Sequence, residues 1–427
     1  MRLFSPVCGL LNPLLRSPSS PYGIAFVQQA HRSTTESWLK KWSEFMSLKS
    51  KLSAAVAVTS SRSTLCSGFE PNRPGAGVLL VIGGLARRLL WCLLPLAAAA
   101  TAQASDIVFT SNREGGIFQL YRMAEDGSSV KRATAEAMEA QQFDLSPDRK
   151  KAVFVSVRAG QPDLYIADLR TGQVTQLTND AAMEATPIWS PDGKSVAYQS
   201  YLSRRPALYI INVDGTGHRK LTDEKGEESM PAFSPDGRKL AYVVTMGRRQ
   251  AQIRTVDLES GKSTVIGAEP SVGLESGPRW SPDGSHLVYV MLKDDVTHIY
   301  TMRADGSERR ALTTGEDKNN EPNWSVDGRQ IVFLSIRKPS NRQAIYAMSE
   351  DGSRQRELVG GPEEHMLARW TPDHRSLYFM RFHRGAGQIF VASADGSDIR
   401  KVSSGSGYDA EFAFVSDANK APTFAAR

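Results

Sequence analysis

From residue 145 onward the chain repeats one pattern of apolar and polar positions. An anchor residue (Leu145, Trp189, Phe233, Trp280, Trp324, Trp370) is followed by a polar corner and then by a short, unbroken apolar run. Three copies read WSPDGKSVAYQS at 189–200, FSPDGRKLAYVV at 233–244 and WSPDGSHLVYVM at 280–291. A worn corner, FVSD, starts at Phe414. The anchors stand 44, 44, 47, 44, 46 and 44 residues apart, a period that belongs to propellers and solenoids. Four of the 7 tryptophans are anchors, so chance repetition is a poor explanation.

Each corner has a mechanism. In Ser190-Pro191-Asp192-Gly193, proline presets the backbone angle, aspartate bonds its own main chain and glycine accepts a positive φ. The chain therefore reverses between two strands. The runs after the corners, such as AVFV at 152–155, LAYVV at 240–244 and LYFM at 377–380, are unbroken. They predict strands covered on both faces. A third strand follows, as in LYIAD at 164–168 and IYTMR at 299–303. A second hairpin signal comes next, for example Asp214-Gly215 or Asp305-Gly306, and a more polar fourth strand closes the unit. Four antiparallel strands per unit make a propeller blade. A helical solenoid would need long stretches of 3.6-residue periodicity, which are missing.

The ends set the expected number. Residue 105 leads directly into a second-strand pattern, DIVFTS, with third and fourth strands but no innermost one. The stretch YDAEFAFVSD at 408–417 is an innermost-strand pattern with nothing after it. Each deficit fills the other. The expectation is an all-β, seven-bladed β-propeller of four-stranded antiparallel blades, closed by a C-terminal strand that completes the N-terminal blade and leaves no open edge at the seam.

The unit P-x-W-S-P-D-G followed by [LI]-Y-x-x-x-x-D-G and L-T resembles the TolB-type β-propeller repeat, a WD40-like repeat, over about residues 105–417. The resemblance implies a periplasmic partner protein of the cell envelope, of the kind that serves the Tol–Pal system and engages extended partner segments through its propeller. The family's namesake has six blades and an α/β domain before them. This chain is expected to be a stand-alone propeller with seven.

Composition changes the picture at the N-terminus. The formal charge is +6, but residues 1–104 hold 11 Lys/Arg and 3 Asp/Glu, leaving 41 against 43 for the rest. The basic surplus belongs to the leader, so nucleic-acid binding by the body loses its main support. Cys8, Cys66 and Cys92 all precede residue 105, which excludes a disulfide framework, a Cys-ligated zinc or a Cys nucleophile in the body. Arg87 and Arg88, the apolar run Leu89–Ala100 and Ala102-Gln103-Ala104 form the three regions of a signal peptide. The apolar run is shorter than a membrane span; a retained anchor helix is the alternative. The expected organisation is a non-native or disordered extension at 1–77, a signal peptide at 78–104, the propeller at 105–417 and a tail at 418–427. The product is expected to be periplasmic or secreted, monomeric, and without a stable membrane anchor after cleavage.

Candidate chemistry lies five residues before each anchor, at Ala140, Glu184, Glu228, Glu275, Asn319, His365 and Asp409. In a propeller these positions begin the innermost strands, at one mouth of the channel, with Glu227, Glu321 and Glu364 nearby. Converging carboxylates repel unless a cation compensates. The candidates are a bound Ca2+, a cationic peptide tail, or the protein's own arginines. Loops between second and third strands on that face carry Arg113, Arg158, Arg204, Arg205, Arg248, Arg249, Lys293, Arg337, Lys338, Arg342, Arg381 and Arg384, which would bridge blades by pairing with the acids. Glu184, Glu228, Glu275, Asn319, His365 and Asp409 are the expected contact set for a protein or peptide partner, with no cofactor required. The alternative is a metal-assisted carbohydrate-active propeller, a lyase acting on acidic sugars. Only His365 and His383 can reach the mouth, however, and catalytic metals usually take about three protein ligands. No G-x-S-x-G elbow or phosphate-cradling loop is present, and no catalytic residue is assigned.

Overall fold

The repeated corner is a small hydrogen-bonded knot. Ser190 Oγ donates to Asp192 Oδ1 (2.6 Å) and accepts the Ser195 N–H (3.0 Å), while the Asp192 carboxylate accepts the Lys194 N–H (3.0 Å). The same knot recurs at Ser146, Ser234, Ser281 and Ser325, and at Thr371 with threonine in place of serine. Gly193, Gly237, Gly284 and Gly328 take φ between 70° and 73°, and Arg149 and His374 hold the same left-handed position in the other two. Glycine is the usual residue there because it has no Cβ to clash.

The computed structural model describes residues 106–415, apart from 115, 159, 248–249, 269–272, 384–385 and 406. The extension, the signal peptide and the tail lie outside the described residues, as do Arg248, Arg249, Arg384, the side chain of His383 and the last two residues of the worn corner. Among the described residues there is no helix, and so none long and apolar enough to cross a membrane.

The strands form antiparallel sheets. Sheet A runs Asp409–Val415, Asp106–Ser111, Gln119–Ala124, Lys131–Arg132. Sheet B runs Gln141–Leu145, Lys151–Ser156, Asp163–Asp168, Val174–Gln176. Sheet C runs Glu184–Trp189, Ser195–Ser200, Ala207–Asn212, Arg219–Lys220. Sheet D has eight strands in two runs, one from Glu227–Phe233 to Ser263–Val265 and one from Leu274–Trp280 to Arg310–Ala311, joined by a single parallel bridge between Ala251 and Leu274. Sheet E spans Lys318–Trp324 to Arg356–Val359, and sheet F spans Glu364–Trp370 to Arg400–Lys401. The expected pairing of the last strand with the first is present: Asp409–Val415 lies antiparallel on Asp106–Ser111, and Thr110 Oγ1 donates to the Ala410 carbonyl at 3.0 Å.

The second strand of each unit is buried on both faces, as its unbroken apolar run predicts. It carries a buried aromatic (Phe109, Phe154, Tyr198, Tyr242, Tyr289, Phe333 and Phe379). Six of these meet a ring on the third strand at centroid distances of 5.8–6.1 Å, a favourable separation for aromatic pairs. The apolar clusters lie between successive four-strand units. One joins Val153 and Leu164 of sheet B to Trp189 and Tyr198 of sheet C. Another joins Tyr378 and Met380 of sheet F to Ile107, Phe109 and Phe412 of sheet A. The anchors add a polar tie: Trp189, Trp280 and Trp324 donate their indole N–H to the carbonyls of Asp144, Ala232 and Arg279 in the preceding unit, at 3.0–3.2 Å.

The innermost strands hold a feature that the alternation of polar and apolar residues does not reveal. Each is interrupted by a bulge three residues before the anchor. The bulged residues Gln142, Thr186, Met230, Gly277, Glu321, Leu367 and Glu411 all have positive φ, between 30° and 59°. Proline follows at 187, 231, 278 and 322. It has no N–H to give the ladder, and bulges are among the few places in a sheet that accept it.

Candidate functional site

The row of residues five before the anchors is built into the sheets rather than open to solvent. Glu184, Glu228, Glu275 and Asn319 are each 1% exposed, His365 0% and Asp409 2%. Their partners are main-chain and hydroxyl groups of the preceding unit. Glu275 accepts the N–H groups of Ile253 (2.9 Å) and Ala268 (2.8 Å). Glu228 accepts the Leu208 N–H (2.9 Å), the Glu224 N–H (2.8 Å) and the Thr222 hydroxyl. At Glu184 the Thr178 hydroxyl intervenes, donating to the carboxyl while it accepts the Leu164 N–H at 2.9 Å. Burial pushes Glu184 up to about 8 and raises Glu275 as well. The threonine of the L-T motif, six residues before the acid, is thus one half of an inter-sheet clamp.

The remaining positions depart from this scheme. Asn319 donates to the Asp317 carbonyl (3.0 Å), and its Oδ1 has no hydrogen-bond partner. Asp409 pairs with Arg113 at 3.0 Å. The main chain of His365 donates to Gln343 Oε1 (2.9 Å), but neither ring nitrogen has a hydrogen-bond partner. Burial, with Arg381 adding to it, pushes this imidazole down to about 4, so it is neutral.

The expected pairing of loop arginines with the inner acids occurs only at Arg113 among the described residues. Arg158 reaches Glu136 (3.3 Å), and Arg337 reaches Asp317 (3.5 Å) while its guanidinium lies 4.2 Å from the Tyr346 ring centre. Arg381 lies over Phe390. The physical reason is that Glu228 and Glu275 already accept backbone amides and Glu184 the buried Thr178 hydroxyl. The other histidines are dispersed: His218 bonds Tyr198 (2.7 Å), His286 bonds Ser285 (2.7 Å), and His374 faces Asp327 (3.9 Å). Among the described residues, no three His, Cys, Asp or Glu side chains gather as a metal-ligand set.

A second charged group was not singled out from the sequence. The bulges stitch successive innermost strands sideways. Gln142 Oε1 accepts the Thr186 N–H (2.7 Å), Glu321 Oε2 the Leu367 N–H (2.9 Å) and Glu411 Oε2 the Phe143 N–H (3.3 Å). Asp144 accepts the Trp189 N–H at 2.8 Å. Burial raises Asp144, Glu321 and Glu411, the last to about 7, while Arg369 opposes the rise at all three and Arg279 at Glu321. These three acids and two arginines are one electrostatic group. The trace they leave in the sequence is a charge one or three residues before an anchor position, as at Glu321 and Glu411, three before Trp324 and Phe414.

The repeat itself decides the family. The family model for the TolB beta propeller domain matches residues 140–230 and 227–360. The chain belongs to the TolB β-propeller family. No curated protein matches this TolB-family chain. Among solved structures it is similar to oligogalacturonate lyase from Vibrio parahaemolyticus, at 16% identity over 70% of this chain and 86% of that one, with a TM-score of 0.55. A puromycin hydrolase is 14% identical over 71% of this chain and 52% of that one, with a TM-score of 0.56. TolB from Acinetobacter baumannii is 18% identical over 72% and 82%, with a TM-score of 0.46. The likenesses are of fold alone, and one fold can host different activities.

Proposed function

We propose that this chain is a seven-bladed, ring-closed TolB-family propeller that acts in the periplasm or outside the cell as a protein- or peptide-binding module. The observation that carries this reading is the division of labour at one end of the sheets. The row from Glu184 to Asp409 is buried, and at Glu184, Glu228 and Glu275 its carboxyls fix the inner-strand entrance to the unit before it. The loops it anchors expose apolar and basic side chains, with Ile117 38% and Leu202 48% exposed beside Arg204 and Arg205 in the same class of loop. Binding loops held on a rigid scaffold fit this arrangement. Glu184, Glu228 and Glu275 then act by holding the loops, and the loops make the contact. Seven blades and closure are supported by the seventh innermost strand, Asp409–Val415, lying on the first, and by the apolar cluster between sheets F and A. The test is site-specific photocrosslinking in the native host. Probes at Ile117 and Leu202 should trap the same partner, and probes at Val265 and Ile399, in fourth strands or their turns, should not. Equal trapping from all four positions, or from none, overturns the reading.

One observation favours a second reading, a metal-assisted lyase acting on acidic sugars. His365 is fully buried with two unpartnered ring nitrogens, and oligogalacturonate lyase, one structure of which is a manganese complex, has a similar fold. Metal analysis of the purified protein decides it. About one Mn2+ or Ca2+ retained per chain and lost in His365→Gln supports the lyase, and a metal content equal in both proteins removes it.

A further inference from the structure

At four places on the outer edges of the sheets, a fourth-strand arginine of one unit reaches the hairpin turn of the next. Arg219 bonds the Leu258 carbonyl (3.3 Å), Arg310 that of Asp351 (2.8 Å), Arg356 that of Asp395 (3.3 Å) and Arg400 that of Asp126 (3.4 Å). Each of these turns exposes an acid, at Glu259, Asp351, Asp395 or Asp126, so cation faces anion. Between sheets A and B the partner is reversed. Arg122, on the third strand rather than the fourth, bonds the Leu169 carbonyl (2.7 Å), and the turn presents Arg170 where its counterpart carries Glu259. The cleft there has a volume of about 160 Å3 and is walled by Arg122, Lys131, Arg132 and Arg170.

Its floor is rigid. The Ala135 N–H donates to the Gly172 carbonyl (2.8 Å), and a Cβ on Gly172 would stand 2.8 Å from the Ala135 nitrogen. The local acids are committed. Asp106 pairs with Arg122, Glu114 reaches Arg132 only at 3.8 Å, and the Asp168 carboxyl accepts the Arg170 and Thr171 N–H groups. Lys131 and Arg170 make no ion pair among the described residues.

We propose that the cleft between sheets A and B binds a small oxyanion of the phosphate class, free or as the terminal group of a phosphate monoester. Arg122 is already engaged by Asp106 and the Leu169 carbonyl, and Arg132 by the Thr134 and Ala135 carbonyls. The Arg170 fork and the Lys131 ammonium are therefore the groups that would grip the anion in a space of that size, and an arginine fork matches a tetrahedral oxyanion. Such a site is independent of the loops assigned to partner binding.

The test is calorimetric titration of the intact protein at low salt with inorganic phosphate and, separately, with glycerol 3-phosphate. Saturable one-site binding is expected. Arg170→Glu, which restores the charge of the other turns, should weaken it about tenfold or more. Lys131→Gln should weaken it less, and Arg219→Gln on the far groove should leave it unchanged. Lys131 and Arg170 are exposed, so the variants should keep wild-type melting. Tighter binding of the monoester than of phosphate assigns the terminal-group form, and the reverse order assigns the free ion. Absence of saturable binding by either probe, or equal affinity in Arg170→Glu and wild type, overturns the proposal.

Discussion

At the scale of the residue, the acids of this protein divide by what they bond. Corner aspartates such as Asp192 and Asp236 accept hydroxyl and amide protons near the surface and are held below the usual carboxylate range. The inner acids accept amides in the interior and are pushed the other way. Glu411 is one such case, raised to about 7 by burial. A carboxyl whose folded value exceeds its unfolded value binds its proton more tightly in the native state. Its contribution is therefore favourable below the unfolded value near 4.5 and is lost as pH rises towards 7. Glu411→Gln keeps an oxygen for the Phe143 N–H and removes the charge. Its melting temperature should match wild type near pH 5 and exceed it at pH 8, by an amount on the order of 1–3 kcal/mol of stability. Melting curves at the two pH values check this, and a variant equally displaced at both would refute the assignment.

At the scale of the element, most of what forms a strand or a turn could be read from the letters, because corner chemistry and two-sided burial are local. The role of the carboxylates was not legible. Glu228 and Glu275 bond the amides of Leu208 and Ile253, about twenty residues earlier and in the preceding four-strand unit, and no spacing rule for side chains points at a main-chain N–H. An arginine is a visible countercharge and an amide is not, which is why the loop cations looked like the natural partners. The bulges were partly legible, through the proline two residues before the anchor. Their energetics can be separated by two glycines. Gly277 has φ +59° with open space where a Cβ would go, whereas Gly172 combines φ +76° with a main-chain contact. Gly277→Ala should cost about 1–2 kcal/mol from the backbone alone, and Gly172→Ala clearly more. Denaturant titration of both checks this, and equal losses would mean that close approach adds nothing.

At the scale of the whole molecule, the first and last strands are one another's cover. Phe412 and Phe414 sit with Ile107, Phe109, Tyr121 and Tyr378 in a single cluster. Sheet F also reaches the first hairpin turn, through Tyr378 to the Glu125 carbonyl (2.9 Å) and Arg400 to that of Asp126 (3.4 Å). Ending the chain after Gly407 removes both phenylalanines, each worth roughly 1.5–3 kcal/mol of burial, from a fold whose total stability is typically about 5–15 kcal/mol. The truncated protein should melt well below the full chain, and a synthetic peptide of residues 408–415 added in excess should restore part of the loss. Unchanged melting after truncation would show that the terminal strand is dispensable.

That pairing also sets a clock. Thr110 and Ala410 are 300 positions apart, so a ribosome must add some 300 residues after the first strand before its partner exists. Contacts of such separation form slowly and leave early segments waiting unpaired. A nascent chain of this kind holds its first sheet incomplete until residues 409–415 emerge, so the seam is the last part of the fold to set.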